Sequence, residues 1–426
     1  MATAVSQIAD ITQRAKQAAR GLAQADSAIK DAALEAIAAA LLVRLDEILE
    51  ANERDMQLAR EAEIGPALLD RLRLDEARVV AIAGAVRQIA ALADPVGEVI
   101  DGHRLPNGLD MRKVRVPLGV VAVVYEARPN VTIDAAALCL KSGNAIVLRG
   151  SSTAAHSNAV LAQIAAEAAV GAGLPEGCVS LVAGGGREEL AELATQRENL
   201  DLIIPRGGES LKEALQAVAT VPVIYAASGN CHVFVDASAD LEQAEAIVLN
   251  AKTQRPGVCN AAETLLIHAA VAGEFVPRIL RALGEAEVLV RADEHVLRLA
   301  AELESVSARL EPAGEEDWDS EYLAPIIAVG VVDSVQEAIE HIARRGSGHS
   351  EAIVTTDTAA ARQFQLGVDA ACVYVNASTR FTDGGEFGMG AEIGNSTQKL
   401  HVRGPIGLRE LCTFKYLIEG DGHVRA

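Results

Sequence analysis

Apolar and charged positions alternate with the period of a helix over roughly the first ninety residues of the chain. From Val5 to Ala93 the apolar positions recur every three to four residues, which is the spacing of one buried helix face. One such set is Leu34, Ile37, Ala38, Leu41, Leu42 and Leu45. The pattern predicts an opening section built of amphipathic helices.

Two extended runs follow this section. They span Gly97 to Arg104 and Leu109 to Val116, on either side of Pro106-Asn107-Gly108, and a turn signal between two extended runs predicts a β-hairpin. A third run, Glu410 to Ile418, lies near the end of the chain. We expect it to pair with the hairpin, in the same chain or in a neighbouring subunit, and to form a small β-arm.

Between the hairpin and the tail, short apolar strands alternate with helix-period segments. Strands that are apolar throughout indicate parallel sheets covered on both faces, so the fold class is α/β with two such units, the second beginning near Gly229. Such sheets commonly bind nucleotide cofactors. The predicted strands are Val120–Val124, Ala145–Leu148, Val179–Val182, Leu202–Ile204, Val221–Ile224, Val233–Val235, Thr264–Ile267 and Ile326–Val332.

Composition and charge exclude several classes of function. The 426 residues carry a net charge of −21, and only 3% are aromatic, so the chain repels nucleic acid and lacks a base-stacking surface. No apolar run is long enough to cross a bilayer. With six cysteines, no C-x-x-C pair and no metal-ligand spacing, we expect reduced thiols, a cytoplasmic protein and no metal site.

Cys259 is the strongest candidate for chemistry. Pro256 and Gly257 place it on a constrained loop, and Arg255 supplies a nearby positive charge, the setting that favours a reactive thiolate. Cys139 and Cys372 lie in apolar runs and are expected to be buried. Cys231 beside His232 is a weaker competitor, because adjacent residues of a strand point to opposite faces.

Several motifs, in order along most of the chain, resemble the aldehyde dehydrogenase superfamily. The segment 116–130 resembles the stretch that ends in the oxyanion-hole asparagine, here Asn130, and it is followed by matching segments at 140–150, 173–177, 254–260 and 321–325. Segments 125–130, 205–208, 257–260 and 348–353 are more specific. They resemble the branch that reduces the γ-acyl phosphate of glutamate to the semialdehyde, the second step of proline biosynthesis from glutamate.

The resemblance implies a fold and residue roles. The fold would be aldehyde-dehydrogenase-like, with two three-layer domains and an oligomerisation arm. Cys259 would attack the acyl phosphate, Asn130 would bind the oxyanion, Glu321 would hold the nicotinamide ribose, and Arg149 would reach the adenosine ribose.

Two departures from the superfamily pattern refine this reading. The segment Ala226–Gly229 lacks the glutamate that activates water in hydrolytic members, which favours a phosphorylating enzyme. Ser152 stands where NAD-dependent relatives place a carboxylate against the ribose, so we expect NADPH rather than NADH. Gly185, in a glycine triplet after a strand, is a candidate cofactor contact or only a tight turn.

Further candidates concern the substrate. We expect its carboxylate and phosphate to be bound by cations near site loops, and Arg255 is the first choice for the leaving phosphate. The candidate substrate-binding residues are Arg128, Arg206, Arg255, His349 and Glu351.

These expectations define the domains, the partners and the rival functions. Residues 1–98 and 118–228 would bind NADP, 229–395 would carry Cys259, and 99–117 with 396–426 would form the arm. The arm suggests a homo-oligomer, and glutamate 5-kinase is a further candidate partner. The rivals are a hydrolytic or CoA-acylating aldehyde dehydrogenase and a catalytically inactive partner in a pathway complex.

Overall fold

The computed structural model describes residues 7–184, 186–225, 229–303 and 307–425. The chain divides into two compact units. Unit 1 comprises 1–225, 388–394 and 406–426, and unit 2 comprises 226–387 and 395–405.

Unit 1 opens with the predicted amphipathic helices. Leu34, Ile37 and Leu41 are fully buried along one face, whereas Leu42 is exposed. Leu45 starts the next helix, so it does not share that face as the sequence pattern predicted. The helices are α1 Gln7–Leu22, α2 Ser27–Val43, α3 Leu45–Glu61, α4 Pro66–Leu72 and α5 Glu76–Ala91.

The predicted hairpin follows. Strands β1 (Val99–Arg104) and β2 (Asp110–Pro117) pair antiparallel, as the turn residues between them indicated.

The parallel sheet of unit 1 has the strand order β5-β4-β3-β6. Val221–Ile224, predicted as a further strand, forms only an isolated bridge from Val223 to Ile203. The reason is Pro222, which has no N–H to donate to a ladder. The elements in chain order are β3 Val120–Tyr125, α6 Asn130–Lys141, β4 Ala145–Gly150, α7 Ala155–Gly171, β5 Val179–Leu181, α8 Arg187–Ala194, β6 Leu202–Arg206 and α9 Glu209–Val218.

Unit 2 is built on a larger sheet with the order β10-β9-β11-β8-β7-β12-β13, parallel at every pairing. Buried Val, Leu, Ile and Phe side chains from this sheet and its helices form the core. The elements are β7 Cys231–Val235, α10 Leu241–Thr253, β8 Ala262–His268, α11 Ala269–Glu285, β9 Leu289–Ala292, α12 Glu294–Ala301, β10 Arg309–Pro312, β11 Ile326–Val332, α13 Val335–Arg345, β12 Ser350–Val354, α14 Thr358–Gly367, β13 Cys372–Val375, β14 Asn395–Ser396 and β15 Gly404–Pro405.

The C-terminal strand β16 (Cys412–Glu419) pairs antiparallel with β2 of the same chain, which gives a sheet of order β1-β2-β16. The segment 396–426 that we expected to form one arm is divided, because 396–405 belongs to unit 2. Among the described helices, none has the length and apolar character needed to span a bilayer.

Candidate active site

Cys259 lies on the loop that joins α10 to β8, and it is exposed. All six cysteines fall within the described residues, and the other five are buried. Burial raises the pKa of Cys139 and Cys231, and a buried neutral thiol is a poor nucleophile. Cys259 is the exposed cysteine of the six, and it lies on the loop that the sequence predicted.

The segment that leads into β7 supports this loop from beneath. Gly229 packs so closely that a Cβ placed on it would lie 1.6 Å from the Cys259 carbonyl oxygen, so a larger residue does not fit. The Cys231 thiol donates to the same oxygen at 3.2 Å. The Gly229 N–H donates to Oε1 of Glu321 at 2.7 Å, which connects the support of Cys259 to the predicted ribose-binding residue.

Arg380 is a site residue that the sequence analysis missed. It lies in the short 3-10 turn Thr379–Phe381, and its guanidinium donates to Gln254 Oε1 at 2.8 Å and to Asn260 Oδ1. Burial and the charge of Arg255 lower the pKa of Arg380. No local motif marks this position, because the chain reaches the Cys259 loop only after passing β13.

His349 and Glu351, two of the predicted substrate-binding residues, are fully buried. His349 ends the connection that follows α13, and Ser350 begins strand β12. The strands β8, β7 and β12 are neighbours and parallel, so their amino ends meet at one edge. His349 precedes β12 there, 3.8 Å from the Cys231 sulfur, and therefore lies beneath the Cys259 loop.

Glu351 binds His232 rather than an open surface. Its Oε2 accepts from the His232 N–H at 2.7 Å and lies 3.0 Å from His232 Nδ1. Burial raises the pKa of Glu351 and lowers that of His349 to about 4, so His349 is neutral at physiological pH. Cys231 contacts His349, whereas its neighbour His232 contacts Glu351. Cys231 and His232 therefore have different partners and do not form the pair considered from the sequence.

In unit 1, Asn130 begins α6 after the short connection 126–129 that follows β3. Its Nδ2 donates to Asp134 Oδ2 at 2.9 Å, one helical turn later. Burial raises the pKa of Asp134 to about 6, against the opposing effects of the Asn130 hydrogen bond and the Arg206 charge. Asp134 follows Asn130 by four residues, a spacing at which two helical side chains are neighbours, so the sequence carried a signal for this contact. Arg128 and Arg206 are half-buried in the same unit.

Arg149 lies at the carboxyl end of β4 and is only 7% exposed. Its Nη2 donates to the Gly186 carbonyl at 2.7 Å. Within the described part of the chain, Arg149 Nε and Ser151 Oγ are buried without hydrogen-bond partners. Two such donors at the end of a parallel strand suit an anionic cofactor group.

Other cofactor candidates are less enclosed or cannot be placed. Ser152 is exposed at the start of a 3-10 turn. Glu189, which the sequence analysis did not foresee, lies against Gly184 and Gly186 and raises the pKa of Arg149, opposing the effect of burial. Gly185 lies outside the described residues, as do Ala226, Ala227 and Ser228.

Comparison with known proteins agrees with this organisation. A model of the aldehyde dehydrogenase family matches residues 2–297 and 312–412. Gamma-glutamyl phosphate reductase from Thermobifida fusca is 54% identical over 415 residues, which cover 97% of this chain and 98% of the relative. The same enzyme from Kineococcus radiotolerans is 55% identical over 97% of this chain and 95% of its own length.

Solved structures give the same relationship. The crystal structure of gamma-glutamyl phosphate reductase from Thermotoga maritima is 46% identical, with a TM-score of 0.96 over 99% of this chain and 100% of that one.

Proposed function

Because this chain belongs to the aldehyde dehydrogenase family, and within it to the γ-glutamyl phosphate reductases, we propose that Cys259 is the nucleophile of its reaction. The chain is an oxidoreductase of proline biosynthesis that reduces L-glutamate 5-phosphate to L-glutamate 5-semialdehyde and phosphate. The observation that carries the assignment of Cys259 is its exposure on a loop held by Gly229, while the other cysteines are buried.

The Cys259 thiolate attacks the γ-carbonyl carbon, the carbon–oxygen bond to phosphate breaks, and inorganic phosphate leaves a γ-glutamyl thioester on the sulfur. When bound, a reduced nicotinamide dinucleotide supplies the hydride that reduces this thioester. Asn130 Nδ2 is the proposed donor to the oxygen as it becomes negative, and loss of such a donor typically costs ~10²–10³ in rate. The oxyanion then re-forms the carbonyl and expels the thiolate, which frees the semialdehyde.

The reverse reaction tests this assignment and separates the rivals. Oxidation of the semialdehyde should require inorganic phosphate, and Cys259→Ser should reduce turnover by at least about 10³-fold. Phosphate-independent turnover would favour a hydrolytic or CoA-acylating enzyme. Turnover by Cys259→Ser at the normal rate would exclude Cys259 as the nucleophile, and a wild type without activity would indicate the inactive partner.

The reaction uses a nicotinamide cofactor, and we propose that it is NADPH. The buried donors Arg149 Nε and Ser151 Oγ suit the 2′-phosphate, and Glu321 would hold the nicotinamide ribose. Glu189 partly opposes this preference, since its charge acts on Arg149.

The preference can be measured as the ratio of kcat/KM with NADPH to that with NADH. We expect a ratio above 1 in the wild type and a larger ratio in Glu189→Gln. Arg149→Gln should bring the ratio towards 1, and a wild-type ratio below 1 would contradict the proposal.

Glutamate 5-kinase, which makes the acyl phosphate, is the proposed heterologous partner, and the arm is the proposed site of homo-oligomerisation. For the other substrate-binding candidates, the half-buried Arg128 and Arg206 remain proposed anion contacts. His349 and Glu351 would act from beneath the loop and not by direct contact, because both are buried.

A further inference from the structure

Arg380 closes the Cys259 loop into a ring. Its Nε and Nη1 bind Gln254 and Asn260, the first and last residues of the segment that contains Arg255 and Cys259. Asn260 also binds the Arg380 turn, since its Nδ2 donates to the carbonyls of Thr382 at 3.0 Å and Arg380 at 3.3 Å. The position of the nucleophile therefore depends on one guanidinium.

The same ring gathers positive charge at the thiol. Burial and the charge of Arg255 lower the pKa of Arg380, and the charge of Asp383 raises it, so both charged residues act on its guanidinium. Like charges repel, and the repulsion between the two guanidinium groups is relieved when an anion binds to both.

We propose that Arg380, together with Arg255, binds the phosphate group of the substrate beside Cys259. This inference rests on the proposed function, because it places the leaving group of that reaction. Arg380 then has two effects: it positions the loop through Gln254 and Asn260, and it neutralises the phosphate as the bond to carbon breaks.

The test uses inorganic phosphate as the probe and alkylation of Cys259 by iodoacetamide as the readout. Phosphate should slow alkylation of the wild-type protein in a saturable way at fixed pH, whereas potassium chloride at equal ionic strength should not. In Arg380→Ala the half-protecting phosphate concentration should rise at least about 10-fold, the loss expected for a charge-assisted hydrogen bond. Arg380→Lys keeps the positive charge but not the forked donors of the guanidinium. Its half-protecting phosphate concentration should lie between those of the wild type and Arg380→Ala.

The matched control is Arg362→Ala, which removes an exposed arginine from α14 of the same unit and should leave protection unchanged. Equal protection of the wild type and Arg380→Ala would overturn the proposal, as would a wild type that phosphate does not protect. In the oxidation direction, Arg380→Lys should raise the KM for phosphate more than the KM for the semialdehyde. Alkylation does not depend on turnover, so it tests phosphate binding alone. A failure of the proposed function would be seen in a different measurement, as activity retained by Cys259→Ser.

Discussion

Gly229, which has no side chain, shows how one residue can fix the position of another, here the proposed nucleophile Cys259. The Cys259 carbonyl occupies the space that a Cβ on Gly229 would need, and the Gly229 N–H binds Glu321. The close approach thus fixes the proposed nucleophile and a proposed cofactor contact together.

Gly229→Ala should displace the Cys259 loop, because the new Cβ would clash with backbone atoms, which cannot move aside by a side-chain rotation. We expect kcat/KM to fall by about 10²-fold, since a displacement of about 1 Å has that effect on aligned reacting atoms. The control is Gly273→Ala in α11, where a Cβ meets nothing within 4 Å. Both variants should be compared in the phosphate-dependent oxidation assay, and wild-type kcat/KM in Gly229→Ala would contradict the packing argument.

The sequence alone predicted Cys259 as the candidate nucleophile, but it did not predict the distant residues that contact the Cys259 loop. Pro256 and Gly257 are local signals, readable without the fold. Arg380 meets the loop from 120 positions away, at Asn260, and the contact exists only because the chain folds back after β13. Long-range side-chain contacts of this kind leave no trace in local spacing.

At the scale of elements, the connection from β3 to α6 places Asn130 at the first residue of a helix, where its amide is held by Asp134. The strand and the helix were both predictable from periodicity. So was the parallel sheet, apart from Val221–Ile224, where Pro222 prevents a ladder. The strands β9, β10, β12 and β13 were not predicted. Charged residues in β9, β10 and β12 (Arg291, Glu311 and Glu351) interrupt the continuous apolar run by which the other strands were predicted.

Asp134 should make the stability of this connection depend on pH. Its pKa is raised from 3.8 to about 6 in the folded chain, so the folded state holds a proton that the unfolded state loses as pH rises above 3.8. Stability therefore falls as pH rises through this window, and the full penalty is present above about pH 6. Asp134→Asn removes the charge but keeps an acceptor for Asn130.

We expect Asp134→Asn to be more stable than the wild type by up to about 3 kcal/mol at pH 8, and by less than about 1 kcal/mol at pH 4. Urea unfolding at both pH values measures the difference. Asp134→Ala, which lacks the acceptor, serves as the comparison and should gain less than Asp134→Asn at pH 8. A gain for Asp134→Asn that is the same at both pH values would show that Asp134 does not titrate in this window.

On the scale of the whole molecule, the acidic surface is interrupted by an apolar stripe on the arm. Phe414, Tyr416 and Ile418 alternate along β16 and are 46%, 52% and 57% exposed, so they share one face of the β1-β2-β16 sheet. Strand β16 is also an edge strand, paired only with β2 within the described residues. An exposed edge with an apolar face is a site for association, and symmetry allows a second copy to supply the same surface.

We therefore expect the chain to form a homo-oligomer through β16, and the variant Tyr416→Lys/Ile418→Lys to dissociate it. Two lysines placed on an apolar face must be desolvated for the copies to associate, and at a symmetric contact they also meet their own copies. Sedimentation velocity at micromolar concentration should show a mass of more than one 44.5 kDa chain for the wild type and a shift towards one chain for the variant. Leu366→Lys, at an apolar position of α14 that is even more exposed, should leave the wild-type mass unchanged. A wild type that sediments as a single chain would contradict association, and a variant that keeps the wild-type mass would show that association does not use this strand.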